Sequence, residues 1–185
     1  MEFKKIQLNG FKSFAEKTDF LIEDGLTGIV GPNGCGKSNI VESLRWAMGE
    51  TSAKSMRGSG MEDVIFSGTS NKASKNIAEV LVSVANNNNE GPVQFREFEV
   101  VNVRRKIEKD KGSKFYINDK EVRARDVQMF FADLSTGAHS PSMISQGRIG
   151  ALVTAKPTDR RAILEEAAGI SGLHVRRHEA ELRLN

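Results

Sequence analysis

The sequence predicts an α/β fold. A P-loop core joins a short strand to a helix, an antiparallel β-subdomain follows, and the chain ends on a further helix. Three observations carry this. The motif G-x-x-x-x-G-K-[ST] runs through Gly31, Gly36, Lys37 and Ser38 between an apolar stretch and a helix-spaced one. "IAEVLVSVAN" alternates with period two, as a half-buried antiparallel strand does. From Thr158 the pattern "TDRRAILEEAAGISGLHVRRHEAELRLN" is helical.

The motif has a physical reading residue by residue. Gly31, Gly34 and Gly36 permit backbone dihedrals that a Cβ forbids, so successive N–H groups turn inward as an anion-binding nest. Lys37 brings a positive charge to the β- and γ-phosphates of a nucleotide, and the Ser38 hydroxyl is a ligand for Mg²⁺. Pro32, Asn33 and Cys35 fill the variable positions, and Asn39 follows in the first helical turn. Before the loop, "LTGIV" reads as a buried strand. After it, Ile40, Val41, Leu44 and Ala47/Met48 fall at helical spacing, and Gly49 ends the helix. Strand, glycine loop and helix in that order are what the motif requires.

The other elements follow in order. "EFKKIQL" and "KTDFLI" are strands around the loop "NGFKSFAE". "ETSAKSMRGSG" is a polar connection and "NNNNEGP" a surface turn. "FEVVNVRRKI" and "KFYINDKEV" are strands, the second with a turn at Asn118–Asp119. "ARDVQMFFADL" is a helix, and "STGAHSPSMISQGRIGALV" is mostly loop with a short helix. Thr158 is placed to cap the last helix, which Gly169 and Gly172 weaken.

Composition sets bounds. The 185 residues suffice for one domain or a little more. A single cysteine, Cys35, excludes a disulfide scaffold and is a small filler without a partner. No apolar run approaches ~18 residues, and "MEFKKIQLNG" lacks a signal core, so the expected location is cytoplasmic, with no membrane. Net charge is +3 but uneven: residues 96–125 hold 10 basic and 6 acidic side chains. That excess fits a solvated β-surface or a phosphate-facing patch for DNA.

A P-loop ATPase also needs a parallel strand ending in acidic residues, for metal and attacking water. "FLIED" has its acids in reverse order, and it stands too close to the loop for the crossover that parallel strands require. "FFADL" reads as a helix face, and "MEDVIF" places its acids before the apolar run. The chain is therefore expected to hold a nucleotide without supplying its own catalytic carboxylate.

Several spaced motifs then make a resemblance. "GFKSFAEKT", "GPNGCGKSNIVESLRWAMGE", "SAKSMRG", "MEDVIFSG", "FYINDKEV", "ISQGRI" and "RRAILEEAAGIS" occur in this order. Together they resemble the N-terminal head segment of the SMC chromosome-segregation ATPases, bacterial type. The resemblance implies a P-loop (ABC-type) ATPase lobe with a mixed sheet. Residues 1–157 would form that lobe, and residues 158–185 the helix at the root of a coiled coil. It implies ATP and Mg²⁺ as cofactors. The implied partners are the C-terminal head lobe of the same protein, a second copy through a hinge and through ATP-engaged heads, a kleisin-type subunit and DNA without sequence preference. The implied place is the nucleoid.

Roles transfer by position. Gly31 to Ser38 match the phosphate loop, with Lys37 on the phosphates and Ser38 on the metal. Gln146, in "ISQG", matches the glutamine that senses Mg²⁺ and the attacking water. Arg57, in "SMRG", matches an arginine near the nucleotide, and Lys12 and Ser13, in "GFKSF", match a loop beside it. "LSTG" (134–137) imitates a signature motif but precedes Gln146, and reads as a helix end. His174 and His178 share a helix spacing without a third ligand. A split-head DNA-repair ATPase of the Rad50 or RecN type is the alternative, opposed by "SAKSMRG" and "RRAILEEAAGIS". A small P-loop kinase or GTPase lacks its acidic strand here, and a non-catalytic module is separated from all of these by ATP binding.

Overall fold

Antiparallel pairing builds the sheet that carries the site. In the computed structural model, which describes residues 1–86, 92–134, 143, 150 and 153–168, six strands pair in the order β2-β1-β3-β4-β5-β6. They are β1 (Glu2–Asn9), β2 (Thr18–Leu21), β3 (Ile77–Ala85), β4 (Val100–Glu108), β5 (Gly112–Ile117) and β6 (Lys120–Val122). Among the described residues three α-helices accompany them: α1 (Lys37–Ala47), α2 (Ala124–Asp133) and α3 (Pro157–Ala167). The chain divides into two compact units, Met1–Val127 and Gln128–Asn185.

Period-two sequence puts one face of the sheet in the core. Ile6 of β1 aligns with Val82, Val103 and Ile117, and Leu8 aligns with Val80, Arg105 and Phe115. All of these are buried. Each aliphatic side chain in these rows contributes about 1.5–3 kcal/mol by leaving water. α1 lies against β3 and β4. It buries Ile40, Ser43, Trp46 and Ala47, and Trp46 meets the Phe11 ring at 5.4 Å. The expected stripe of Ile40, Val41, Leu44 and Ala47/Met48 is therefore rotated. Val41 is exposed, because the face toward β3 and β4 follows Ile40, Ser43 and Trp46 at three-residue steps.

The β5–β6 hairpin turns where expected. Asn118 and Asp119 both have positive φ, 47° and 62°, as a two-residue turn of this hand demands. Asn118 also ties back to β4: its N–H donates to the Asn102 carbonyl at 2.9 Å and its Oδ1 accepts from the Asn102 N–H at 2.8 Å.

The strand expected at 26–30 is not formed. Leu26 is 99 % and Val30 96 % exposed, and the segment pairs with no strand among the described residues. A strand exists through its neighbours, and the parallel partners of a mixed sheet are not among these residues. Every pairing in this sheet is antiparallel. Apolar, β-branched composition identified the segment, but nothing here covers it.

α2 opens with its own stop: the Asp126 carboxylate accepts from the Arg123 N–H at 2.9 Å, as the third residue of a capping box does. In the second unit, the Phe130 and Phe131 rings meet edge to face at 5.1 Å. α3 begins at Pro157, one residue before the expected Thr158 cap. Proline suits the first helical position, where an N–H would have no partner. Arg160 Nη2 donates to the Val153 carbonyl at 2.8 Å, and Arg161 pairs with Glu165 one turn on at 2.7 Å.

Candidate functional site

The phosphate loop ends on the helix it was expected to introduce. Gly36 is the residue before α1, with φ 98°, and Gly34 has φ 84°. Neither conformation suits a residue with a Cβ. At Gly36 space is also closed: a Cβ would stand 2.5 Å from Ser13 Oγ and 3.3 Å from the Phe14 ring. A Cβ on Gly31 would stand 2.7 Å from Cys35 Sγ, so the exposed Cys35 closes the loop against its first glycine. Lys37 turns back over the loop and donates to the carbonyls of Gly31 and Pro32, the latter at 2.6 Å. The loop is thus a short bridge, with an ammonium held across its mouth and the positive end of α1 beneath it. Asn33 in the loop and Ser38 in the first turn of α1 are both exposed.

A second segment is sewn beside it. Gly10 has φ 64°, and a Cβ there would collide with the Ile77 carbonyl at 2.2 Å. The Lys12 N–H donates to the Val64 carbonyl at 2.7 Å, and the Phe66 N–H to the Gly10 carbonyl at 2.8 Å. Two short 3₁₀ turns, Lys54–Met56 and Met61–Val64, complete this edge. The second is held by Asp63, which accepts from Gly60 N–H at 3.0 Å, Ser59 Oγ at 2.8 Å and Ser59 N–H at 2.6 Å. The Gly60 N–H, then the two Ser59 groups, keep this carboxyl below the ordinary range for aspartate.

The predicted residues Lys12, Ser13, Asn39 and Arg57 come together in one closed circuit. Asn39 Nδ2 donates to Ser13 Oγ at 2.9 Å. Arg57 Nη2 donates to Asn39 Oδ1 at 3.1 Å. Arg57 Nε pairs with one oxygen of Glu42, and Lys12 Nζ pairs with the other. The peptide bond from Lys12 to Ser13 closes the ring. Lys12 also donates to the Met56 carbonyl at 2.5 Å. Lys12 (φ 47°) and Arg57 (φ 55°) both occupy the left-handed backbone region. Side chains with a Cβ are uncommon there, and such residues gather at functional positions.

Glu42 was missed by sequence reasoning. It is an acid on the buried side of α1, only 8 % exposed, and it faces two cations from distant segments. A charged residue inside the run Ile40–Ser43–Trp46 was the signal available.

The basic residues of β4 and β5 divide between the core, ion pairs and the outer face. Arg105 is in the core: its side chain lies between the Trp46 and Phe115 rings, at 4.4 and 4.6 Å. Arg104 pairs with Glu79 at 3.3 Å and Asp119 at 3.0 Å. Lys111 pairs with Glu108, and Lys114 with Glu121. Alternation explains this: odd and even positions of "VNVRRKI" face opposite sides, so adjacent arginines cannot share a surface. Lys106 is left on the outer face without an ion-pair partner among the described residues. Gln146, His174, His178 and most of "LSTG" lie outside the described residues.

Comparison with known proteins agrees with this geometry. The model of the RecF/RecN/SMC N-terminal domain family matches residues 2–148. A chromosome partition protein Smc of Rhodopseudomonas palustris is 56 % identical over 184 residues, spanning 100 % of this chain and 16 % of that protein. A solved SMC head bound to the C-terminal winged-helix domain of ScpA superposes with a TM-score of 0.85 at 29 % identity, over 92 % of this chain and 52 % of that one. A structure from work on ATP-driven dimerization and DNA-stimulated activation of SMC ATPases gives a TM-score of 0.80 at 28 % identity, over 90 % of this chain and 99 % of that one. The chain belongs to the RecF/RecN/SMC N-terminal domain family, as the N-terminal part of an SMC-type ATPase head.

Proposed function

We propose that this chain binds ATP with Mg²⁺ through Gly31–Ser38. In the complete protein, with its C-terminal lobe and a second head, it would take part in ATP hydrolysis that drives head engagement and DNA organisation. The observation that carries the reading is the loop itself. Two left-handed glycines, Gly34 and Gly36, precede α1, and Lys37 is pinned across the mouth, which is the shape and charge that triphosphate recognition needs. The residues fit the cofactors. The loop has no room for a Cβ at Gly31 or Gly36, which suits a backbone nest for an anion, and the Ser38 hydroxyl is a hard oxygen ligand suited to Mg²⁺. Bound Mg²⁺ would neutralise charge developing on the phosphates. Gln146 is assigned to the metal and the attacking water by position alone.

Relatives support the partners. The ScpA-bound head makes a kleisin-type subunit a reasonable partner here. The SMC ATPases of the dimerization work are driven together by ATP and stimulated by DNA, which supports the same two ligands for this chain. The chain spans 16 % of the length of the two Smc relatives that are 56 % identical to it, so the hinge, coiled coil and second lobe belong to the remainder. The fully exposed Leu26 and Val30 fit an edge that the C-terminal lobe covers.

Hydrolysis should need that remainder. Glu42, the carboxylate of the phosphate-loop helix, is committed to Lys12 and Arg57 and so makes a poor base. Purified chain 1–185 should bind ATP yet turn over far more slowly than the roughly 1 s⁻¹ order of ordinary enzymes. Turnover at that order by the chain alone would overturn the division of labour.

A further inference from the structure

We infer that Glu42 is a positioning residue for nucleotide turnover, the shared counter-ion that holds Lys12 and Arg57 at the first turn of α1 for a phosphate-bearing ligand. This rests on the nucleotide reading of Gly31–Ser38.

The Glu42 carboxylate is divided between two cations. One oxygen serves Arg57 Nε and the other Lys12 Nζ, and the side chain is only 10 % exposed. A buried acid facing two cations leaves a net positive charge beside the loop, which is what a polyanionic ligand would neutralise. The Arg57 side chain is 59 % exposed. An exposed ion pair adds little to stability, so stability alone accounts poorly for an arginine held in a left-handed backbone. Arg57 commits Nε and one Nη2 donor, and a guanidinium has five N–H donors in a rigid fork. The remaining donors have no partner among the described residues. Asn39 fixes their direction, standing one residue beyond Ser38 and holding both Arg57 and Ser13. Ser13 in turn lies against Gly36. The circuit therefore transmits the position of the phosphate loop to Arg57, and Glu42 is its anionic centre.

The test uses the full-length protein. In E42Q the shape is retained and the charge removed. KM for ATP should stay within about threefold of the wild type, while kcat falls about tenfold or more. The thermal midpoint should fall, because Lys12 loses its buried counter-ion, while the pH profile of turnover should be unchanged. Because Glu42 acts through Arg57 as well as Lys12, the loss of kcat in the double variant E42Q/R57A should be clearly smaller than the product of the two single losses. An E42Q protein with wild-type kcat, or losses that multiply in the double variant, would overturn the inference. If E42Q fails to fold, E42D carries the test. Its shorter carboxylate reaches one cation and not both, so kcat should fall at constant KM, and an unchanged kcat would count against the proposal. Wild-type protein that fails to bind ATP would instead sink the nucleotide reading, which separates the two failures.

Discussion

Arg105 Nη1 donates to the Trp46 carbonyl at 2.8 Å while its guanidinium stacks on the Trp46 indole at 4.4 Å. The same nitrogen donates to the Glu50 carbonyl at 2.6 Å, and Nη2 donates to Ser113 Oγ at 3.2 Å. β4 thereby adds a cationic donor at the C-terminal end of α1, the negative end of its dipole, where the Trp46 carbonyl also accepts from the Gly49 N–H at 3.1 Å. Burial pushes Arg105 down to about 10, and Glu50 partly offsets this, so it stays charged at neutral pH.

Arg105→Ala should therefore destabilise the fold by about 2–4 kcal/mol, since it removes a charged donor from the Trp46 and Glu50 carbonyls and empties the space between two rings. Arg105→Lys should recover only part, because an ammonium lacks the planar fork. Urea unfolding with an unchanged m-value checks this, and an Arg105→Ala midpoint equal to the wild type would refute it.

Much of this was legible in advance. The phosphate loop, the hairpin at Asn118–Asp119 and strands β1 to β5 follow local rules of spacing and turn chemistry. The rest was decided by tertiary partners. "VRRK" reads as one basic cluster until alternation sends Arg105 inward and leaves Arg104 and Lys106 outside. "LTGIV" reads as a core strand, yet strand pairing needs neighbours that this segment does not have among the described residues. Lys12, Ser13, Asn39 and Arg57 were named one by one, but their closure through Glu42 depends on contacts between distant segments, 30 residues apart for Lys12 and Glu42.

Asp63 gives a pH signature. Its folded carboxyl lies below the ordinary value of 3.8, so it favours the folded state when ionised in both states. That contribution is complete above pH 3.8 and is lost as pH falls through the lower folded value. Asp63→Asn should lower the thermal midpoint at neutral pH, and the gap to the wild type should narrow below pH 3.8. A gap that stays constant from neutral pH to about pH 3 would show that Asp63 holds Ser59 and Gly60 by shape alone.

DNA binding by the complete protein should be backbone-directed and steeply salt-dependent. On the sheet face the burden falls on Lys106, because Arg104 is doubly paired and Arg105 is buried. Lys106→Glu should weaken binding equally across sequences and reduce the salt slope by about one. Unchanged affinity and slope would remove this face from the contact.

ATP binding by the wild-type chain and by Lys37→Ala, titrated calorimetrically with Mg²⁺ present, decides whether Gly31–Ser38 is a nucleotide site. Saturable binding at one site is expected, with a loss of about tenfold or more in Lys37→Ala and the thermal midpoint of the unliganded protein preserved. Equal affinity in the two proteins, or no binding by the folded wild-type chain, would contradict it.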